Sequence, residues 1–329
     1  MEYIGDKPIK QMWYGNKQVR PKPPKVKTLP IVYSVASALS DFPIYIKPSA
    51  IAGWWALTLA EAQSLRFYDE NENELPREIV SADEIYVKKS LTSWTGNKLL
   101  LEYDWVSPDY ADNDDFGKYN TWNSNILLRH NYLKWSSVDS TRNQYNWINT
   151  NVSFTSDWVA MSNSWKSLIG ITNSGQFSFN GKPFSVVMMI KPNTWSPTSC
   201  TLIDFEDDGW RWWLLRKEGS YNYLSWRQDQ QLSNWRPSTW AWTLVVFTSN
   251  WSNWKVYYNW SLNYTQWSLN YWTNSTSTYW IGCNYENNTQ SFDGSIKYIW
   301  ILNTELSTNR ISTEYANQSN PATFFWTLT

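Results

Sequence analysis

Apolar and polar residues alternate with a period of two along most of the chain, the signature of half-buried strands. In the first third, Phe42–Ile46, Leu65–Asp69, Glu84–Lys88 and Lys98–Tyr103 read as strands. In the second half the candidate strands are Phe184–Ile190, Thr201–Phe205, Trp212–Arg216, Leu244–Thr248, Lys255–Asn259, Thr278–Cys283 and Gly294–Leu302. Turn signals part these runs at the short intervals of an antiparallel sandwich. Helical spacing is confined to two places. One turn is predicted over Leu57–Ser64 with Thr58 as cap, and one helix over Leu306–Ala316, capped by Ser307 or Thr308, with Ile311 and Tyr315 on one face. The fold class is therefore all-β.

The pattern divides the chain into three parts. Residues 1–28 form a basic arm with Lys7, Lys10, Lys17, Arg20, Lys22, Lys25 and Lys27. Glu2–Ile4 and Ile9–Tyr14 read as short strands with turns at Gly5-Asp6 and Gly15-Asn16, and Pro21, Pro23 and Pro24 make an extended linker. Residues 29–128 form a small β-rich domain ending in a loop-like stretch from 106. Residues 129–329 carry the sandwich.

Composition narrows the function. The 329 residues have a formal net charge of −1, with 17% charged and 18% aromatic residues. That balance favours neither nucleic-acid binding nor a polybasic membrane contact. No apolar run reaches the length of a membrane span, and Met1–Asp6 lacks the pattern of a signal peptide. Two cysteines, Cys200 and Cys283, exclude a disulfide framework; they read as small buried hydrophobes, with one bridge as the alternative. The only histidine, His130, would have to carry any Ser-His-acid or Cys-His scheme, and it reads as a surface or hydrogen-bonding residue.

The tryptophans are anomalous. There are 26 Trp and 12 Gly, where glycine at about 7% would give roughly 23 residues. Many sit in stretches that otherwise read as turns: Asp157-Trp158, Asn250-Trp251-Ser252-Asn253-Trp254, Asn259-Trp260 and Gln266-Trp267. With glycine in place of tryptophan several become Asn-Gly or Asp-Gly, strong hairpin signals. The pattern predicts that many of these positions are glycine in the organism, through UGA codons read as glycine. Trp158, Trp251, Trp254, Trp260 and Trp267 should then lie in exposed turns, some with positive φ. Trp242, at the start of an apolar strand, reads as a genuine anchor. The competing reading is a Trp-rich lectin-like surface.

Residues 61–115 are strongly acidic, which usually marks a solvated face. Asp109, Asp112, Asp114 and Asp115 offer the oxygen chemistry of a calcium site, without EF-hand spacing; a hydrated interdomain loop is the other reading.

The second half resembles a concanavalin A-like, laminin-G-like jelly roll. The resemblance rests on Phe177–Gly181, Phe184–Pro192, Trp242–Thr248, Lys255–Ser261 and Phe292–Ile301, in that order, followed by Leu306-Ser307 and a short helix. The family's Tyr-x-Asn-Gly is broken here by Trp260. Residues 29–128 resemble an uncharacterised β-module that precedes such jelly rolls in bacterial surface and phage proteins, through Leu39–Pro43, Leu65–Asp69, Glu84–Lys88 and Leu100–Tyr103. Tyr3–Lys10 and Tyr14–Pro21 are similar to the start of many phage tail-associated proteins.

These resemblances imply a non-enzymatic module of a phage tail or cell surface that binds a glycan or cell-surface polysaccharide, or serves as a spacer, and attaches to a virion or surface assembly through residues 1–28. Aromatic and amide residues such as Tyr221, Asn222 and Tyr223, or Tyr285, Glu286, Asn287 and Asn288, suit a shallow sugar site. The alternative is a glucanase of the same fold. Its two carboxylates would be Asp204 and Glu206, although Leu202 occupies the position of the motif's leading Glu. No cofactor is implied beyond calcium.

Overall fold

The computed structural model describes four short strands before residue 27 and residues 27–329, except 106, 133–137, 146, 156–157, 163–166, 173–176, 178, 180, 194–198, 205–213, 219–220, 226–230, 234–236, 268–277 and 284–290. The arm holds two antiparallel pairs. Strand β1 (Tyr3–Ile4) pairs with β2 (Lys7–Pro8), and β3 (Met12–Tyr14) with β4 (Lys17–Val19). Of the expected strand over Ile9–Tyr14, Met12–Tyr14 is described as strand; residues 9–11 and the proline linker lie outside the described residues.

The first module is built from β5 (Lys27–Pro30), β6 (Leu39–Ile46), α1 (Leu59–Ser64), β7 (Arg66–Tyr68), β8 (Arg77–Ser81), β9 (Glu84–Leu91), β10 (Lys98–Glu102) and α2 (Lys118–Thr121). Two three-stranded sheets, in the orders β5-β10-β7 and β6-β9-β8, enclose a core that includes Leu29, Phe42, Ile44, Phe67, Val87 and Leu101. Helix α1 begins in a capping box: the Thr58 hydroxyl accepts the Glu61 N–H, and the Glu61 carboxylate accepts the Thr58 N–H at 2.7 Å.

The sandwich comprises β11 (Ile126–Asn131), β12 (Trp147–Thr150), β13 (Ser153–Phe154), β14 (Val159–Met161), β15 (Leu168–Thr172), β16 (Phe184–Pro192), β17 (Ser199–Asp204), β18 (Leu214–Glu218) and β19 (Tyr221–Ser225). It continues through β20 (Gln231–Ser233), β21 (Thr243–Ser249), β22 (Asn253–Tyr258), β23 (Ser261–Trp267), β24 (Thr278–Ile281) and β25 (Gly294–Leu302). One sheet runs β13-β14-β25-β16-β21-β22-β23, with β11 also on β25; the other runs β12-β15-β24-β17-β18-β19-β20. The pairings between these strands are antiparallel among the described residues, so the expected all-β sandwich with a smaller N-terminal β-module is what the chain forms. Strand β11 and helix α2 occupy part of the stretch expected as loop.

The consecutive apolar run Val186–Ile190 has its explanation in burial on both faces. Val186, Met188 and Ile190 point into the core between the two sheets with Val245, Phe247, Ile299 and Ile301. Val187 and Met189, with Leu244, Val246, Tyr298, Trp300 and Leu302, face the other way, onto Tyr45, Tyr86 and Trp122 of the preceding segment and Ile311. Ile311 belongs to α3 (Thr308–Ser319), capped by Ser307, whose hydroxyl accepts the Arg310 N–H at 3.2 Å. Asn317 of α3 clamps the backbone of Tyr45, accepting its N–H at 2.6 Å and donating to its carbonyl at 2.9 Å. After α4 (Pro321–Phe324) the chain runs back beside β5, where Thr28 and Thr329 exchange hydrogen bonds of 2.6 and 3.0 Å. Phe324, Phe325 and Leu328 complete the first module's core.

The five tryptophans singled out above divide. Trp260 lies in a turn, 58% exposed. Trp251 lies in a bend at φ 77°, half-buried, and Trp158 is half-buried in a loop. Trp254 corrects the expectation: it is buried inside β22, in the sandwich core, and Trp267 ends β23 rather than lying in a turn. Trp242 is no core anchor either. It is 36% exposed and meets Trp158 edge-on, with the Lys191 ammonium over both rings.

Glu314 of α3 is buried against this second face. Burial pushes its carboxyl up to about 7, with Arg310 opposing. A carboxyl raised above its unfolded value of 4.5 keeps its proton longer in the native state, so stability is full below that value and falls as pH rises toward about 7. Glu314→Gln should remove that slope. Denaturant unfolding from pH 4 to 8 should show the variant gaining up to about 3 kcal/mol on the parent chain above neutrality, with the gap closing toward pH 4.

Candidate ligand-binding site

A cleft of about 320 Å³ opens where the first module meets the sandwich, lined by Arg77, Glu78, Ile79, Val80, Asp109, Tyr110, Asp112, Lys118, Asn131, Val138 and Ser140. Its residues come from β8, the loop before α2, the start of α2, the end of β11 and the segment beyond it. The volume falls in the lower part of the range for small-molecule sites.

Each charge in the cleft is held by a partner. Arg77 is buried; its Nε donates to the Leu65 carbonyl at 2.7 Å, Nη2 to the Gln63 carbonyl at 2.8 Å and Nη1 to Asp109 at 2.7 Å. Lys118 donates to Asp112 at 2.6 Å. Burial works against the Lys118 charge, but the bond and attraction to Asp112 outweigh it and hold the ammonium above its ordinary pKa. The guanidinium groups of Arg66 and Arg77 lie 4.3 and 4.9 Å from the Tyr110 ring centroid. The Tyr110 hydroxyl donates to Glu74 at 2.6 Å, and burial together with that bond pushes its pKa up to about 12.

The floor is Glu78. One carboxylate oxygen accepts the Ser140 hydroxyl at 2.6 Å; the other accepts the Trp122 indole N–H at 3.1 Å and an Arg129 N–H at 3.3 Å. Burial raises the Glu78 carboxyl above its ordinary value, with Arg129 and Ser140 opposing. Both oxygens are engaged, which leaves this group structural. Asn131 donates its amide N–H to Glu84, while its buried Oδ1 has no hydrogen-bond partner. Asn131 lines the cleft with the rest of its side chain.

The residues expected from sequence fall elsewhere or are already committed. Asp109 and Asp112 are bonded to Arg77 and Lys118, the Asp114 carboxylate accepts the Phe116 N–H at 2.9 Å, and Asp115 is exposed. Among the described residues no group of three or more His, Cys, Asp or Glu side chains is placed to hold a metal ion. Asp204 is fully buried at the end of β17, opposite Trp280 of β24; Glu206, Tyr285, Glu286, Asn287 and Asn288 lie outside the described residues. Tyr221, Asn222 and Tyr223 lie on β19, between β18 and β20.

His130 is not at the surface: it is buried beside the Trp147 indole, with Nε2 3.0 Å from the Tyr145 carbonyl oxygen. Burial and the Arg129 charge hold its pKa well below the ordinary imidazole value, so the ring is neutral. Cys283 is buried, and its sulfur accepts the Ser291 hydroxyl at 3.5 Å. Sequence reading missed Arg77, Glu78, Tyr110, Lys118, Asn131 and Ser140. The one available signal was the scatter of Arg77 and Lys118 within and just after the acidic run.

No known family profile matches the chain, and no curated protein sequence matches it. Solved structures are similar in fold. The ligand-binding domain of botulinum neurotoxin serotype D, in complex with N-acetylneuraminic acid, aligns over 61% of this chain and 53% of its own at 20% identity, TM-score 0.49. The binding domain of botulinum neurotoxin serotype G aligns over 59% and 51% at 20% identity, TM-score 0.48. Domain 4 of AbnA, an extracellular arabinanase from Geobacillus stearothermophilus in complex with arabinotriose, aligns over 58% and 98% at 16% identity, TM-score 0.45. The match therefore spans about half the length of the neurotoxin chains.

Arg129→Met should leave Glu78 as a buried charge without its cationic partner and cost about 3–5 kcal/mol of unfolding free energy. The double variant Arg129→Met/Glu78→Gln should recover most of that loss, as read from denaturant midpoints at constant slope.

Proposed function

We propose that this chain is a non-enzymatic carbohydrate-binding module of a phage tail or cell surface, with a laminin-G-like sandwich as scaffold and the junction cleft as its sugar site. The observation that carries the reading is the charge-paired cleft, with Arg77–Asp109 and Lys118–Asp112 and the amide residue Asn131 in its lining. A sugar ring presents hydroxyl groups that both donate and accept. Carboxylates held by Arg77 and Lys118 still have lone pairs to accept such donors, and the cleft shows no unpaired charge among its lining residues. A neutral saccharide suits it better than an acidic one. The hydrolase alternative needs Asp204 and Glu206 as a pair; Asp204 is fully buried, which disfavours it as a catalytic carboxylate, and Glu206 lies outside the described residues.

The basic arm is the proposed attachment element. Its paired strands leave main-chain edges that a neighbouring subunit can extend. The arm is separable at residue 26, because β5 begins at Lys27 and is bonded to β10 and to Thr329.

A glycan array probed with the full chain should return neutral oligosaccharides above sialylated ones. Asn131→Ala should weaken the best neutral ligand about tenfold by titration calorimetry, the scale of one lost hydrogen bond. Asp112→Asn frees the Lys118 ammonium and should shift preference toward acidic sugars. Absence of binding at millimolar sugar, or binding indifferent to both substitutions, would remove the cleft from this role. Deleting residues 1–26 should abolish incorporation into the particle or surface complex and leave sugar affinity unchanged.

A further inference from the structure

Nine non-glycine residues among the described ones have a positive φ, and four of them are tryptophan: Trp94 at 70°, Trp105 at 60°, Trp240 at 63° and Trp251 at 77°. In this region Cβ crowds the following carbonyl oxygen. Asn and Asp offset the crowding with short local hydrogen bonds, which accounts for Asp41, Asn151 and Asn259. An indole has no such recourse, and glycine has no Cβ to crowd.

The backbone at these positions is fixed by its own hydrogen bonds. Trp94 exchanges two with Val35, at 2.6 and 3.1 Å; the Trp240 N–H donates to the Pro192 carbonyl at 2.7 Å. Trp251 sits in the turn closed by the Asn250 N–H on the Asn253 carbonyl at 3.3 Å. Burial gives little in return, since Trp94 is 67% exposed and Trp240 69%. Trp260 joins them on its turn position and exposure rather than on its φ. It is the second residue of a two-residue loop between Tyr258 and Ser261, after Asn259 at φ 58°. A two-residue hairpin opened by a left-handed Asn favours Gly at its second position.

Other tryptophans behave in the opposite way. Trp122, Trp147, Trp254 and Trp300 are buried, and the Trp122 indole N–H is bonded to Glu78. Glycine there would leave indole-sized voids in the cores.

We propose that the protein made in its own cells carries glycine at positions 94, 105, 240, 251 and 260, from UGA codons read as glycine, and tryptophan at 122, 147, 254 and 300, from UGG. The exposed indoles of Trp105 and Trp240 are then no sugar-stacking surface, while the junction cleft, which no tryptophan lines, is unchanged.

Peptide mass spectrometry of the protein purified from the cells that make it reads each position directly. Glycine at the five turn positions with tryptophan at the four core positions is the expected result. Tryptophan at all five, or glycine throughout both sets, overturns it. A recombinant pair gives an independent reading: the chain with glycine at the five positions should melt several degrees above the chain as written, and Trp254→Gly should melt below it. A five-glycine chain melting below the chain as written would also overturn the inference.

Discussion

The eight-stranded sheet is apolar on both faces, and the rest of the chain is arranged to cover the second one. Val187, Met189, Leu244, Val246, Tyr298, Trp300 and Leu302 would form a broad hydrophobic patch on an isolated two-sheet sandwich. At roughly 25 cal/mol per Å² of apolar surface removed from water, covering such a face is a dominant driving force. The first module supplies Tyr45 and Tyr86, the connecting segment Trp122, and α3 supplies Ile311. The return of residues 324–328 into the first module's core closes the arrangement. The two modules therefore share packing, and neither is complete without the other's chain segment.

A contact made only of apolar side chains tolerates sliding; a buried ion pair does not. Arg129 sets the register. Its guanidinium lies 4.0 Å from the Tyr86 ring centroid and 4.1 Å from that of Trp122, with an N–H on Glu78. Cation–π contacts and a buried carboxylate of this kind offset the desolvation of the charge. The same Glu78 forms the floor of the cleft, so the interaction that aligns the modules also shapes the candidate site.

Much of the fold was legible because it is local. Alternation marked β9 and β10, Thr58 and Glu61 announced α1, and Ser307 announced α3. Phe184–Ile190 read as a strand, but its burial on both faces did not show, because the residues that cover its outer face lie far away in sequence. The cleft was illegible for the same reason. Arg77, Asp109, Lys118 and Asn131 each read as an ordinary polar residue of its own segment, and only tertiary pairing distinguishes them. His130 was legible in part: it read as a surface or hydrogen-bonding residue, and it is hydrogen-bonded, but with Arg129 and Asn131 it is buried where β11 pairs with β25.

Pairing is also what makes the cleft compatible with binding rather than with mere solvation. Arg77 is fixed by three hydrogen bonds, and Asp109 and Asp112 are each fixed by a cation before any ligand arrives. A ligand entering such a site orders few side chains, which removes a main cost of association. It also displaces water from charges that are already partly neutralised, a smaller penalty than stripping free ions. Preorganisation by tertiary ion pairs thus follows from the docking of the modules, and the docking follows from a sheet with two apolar faces.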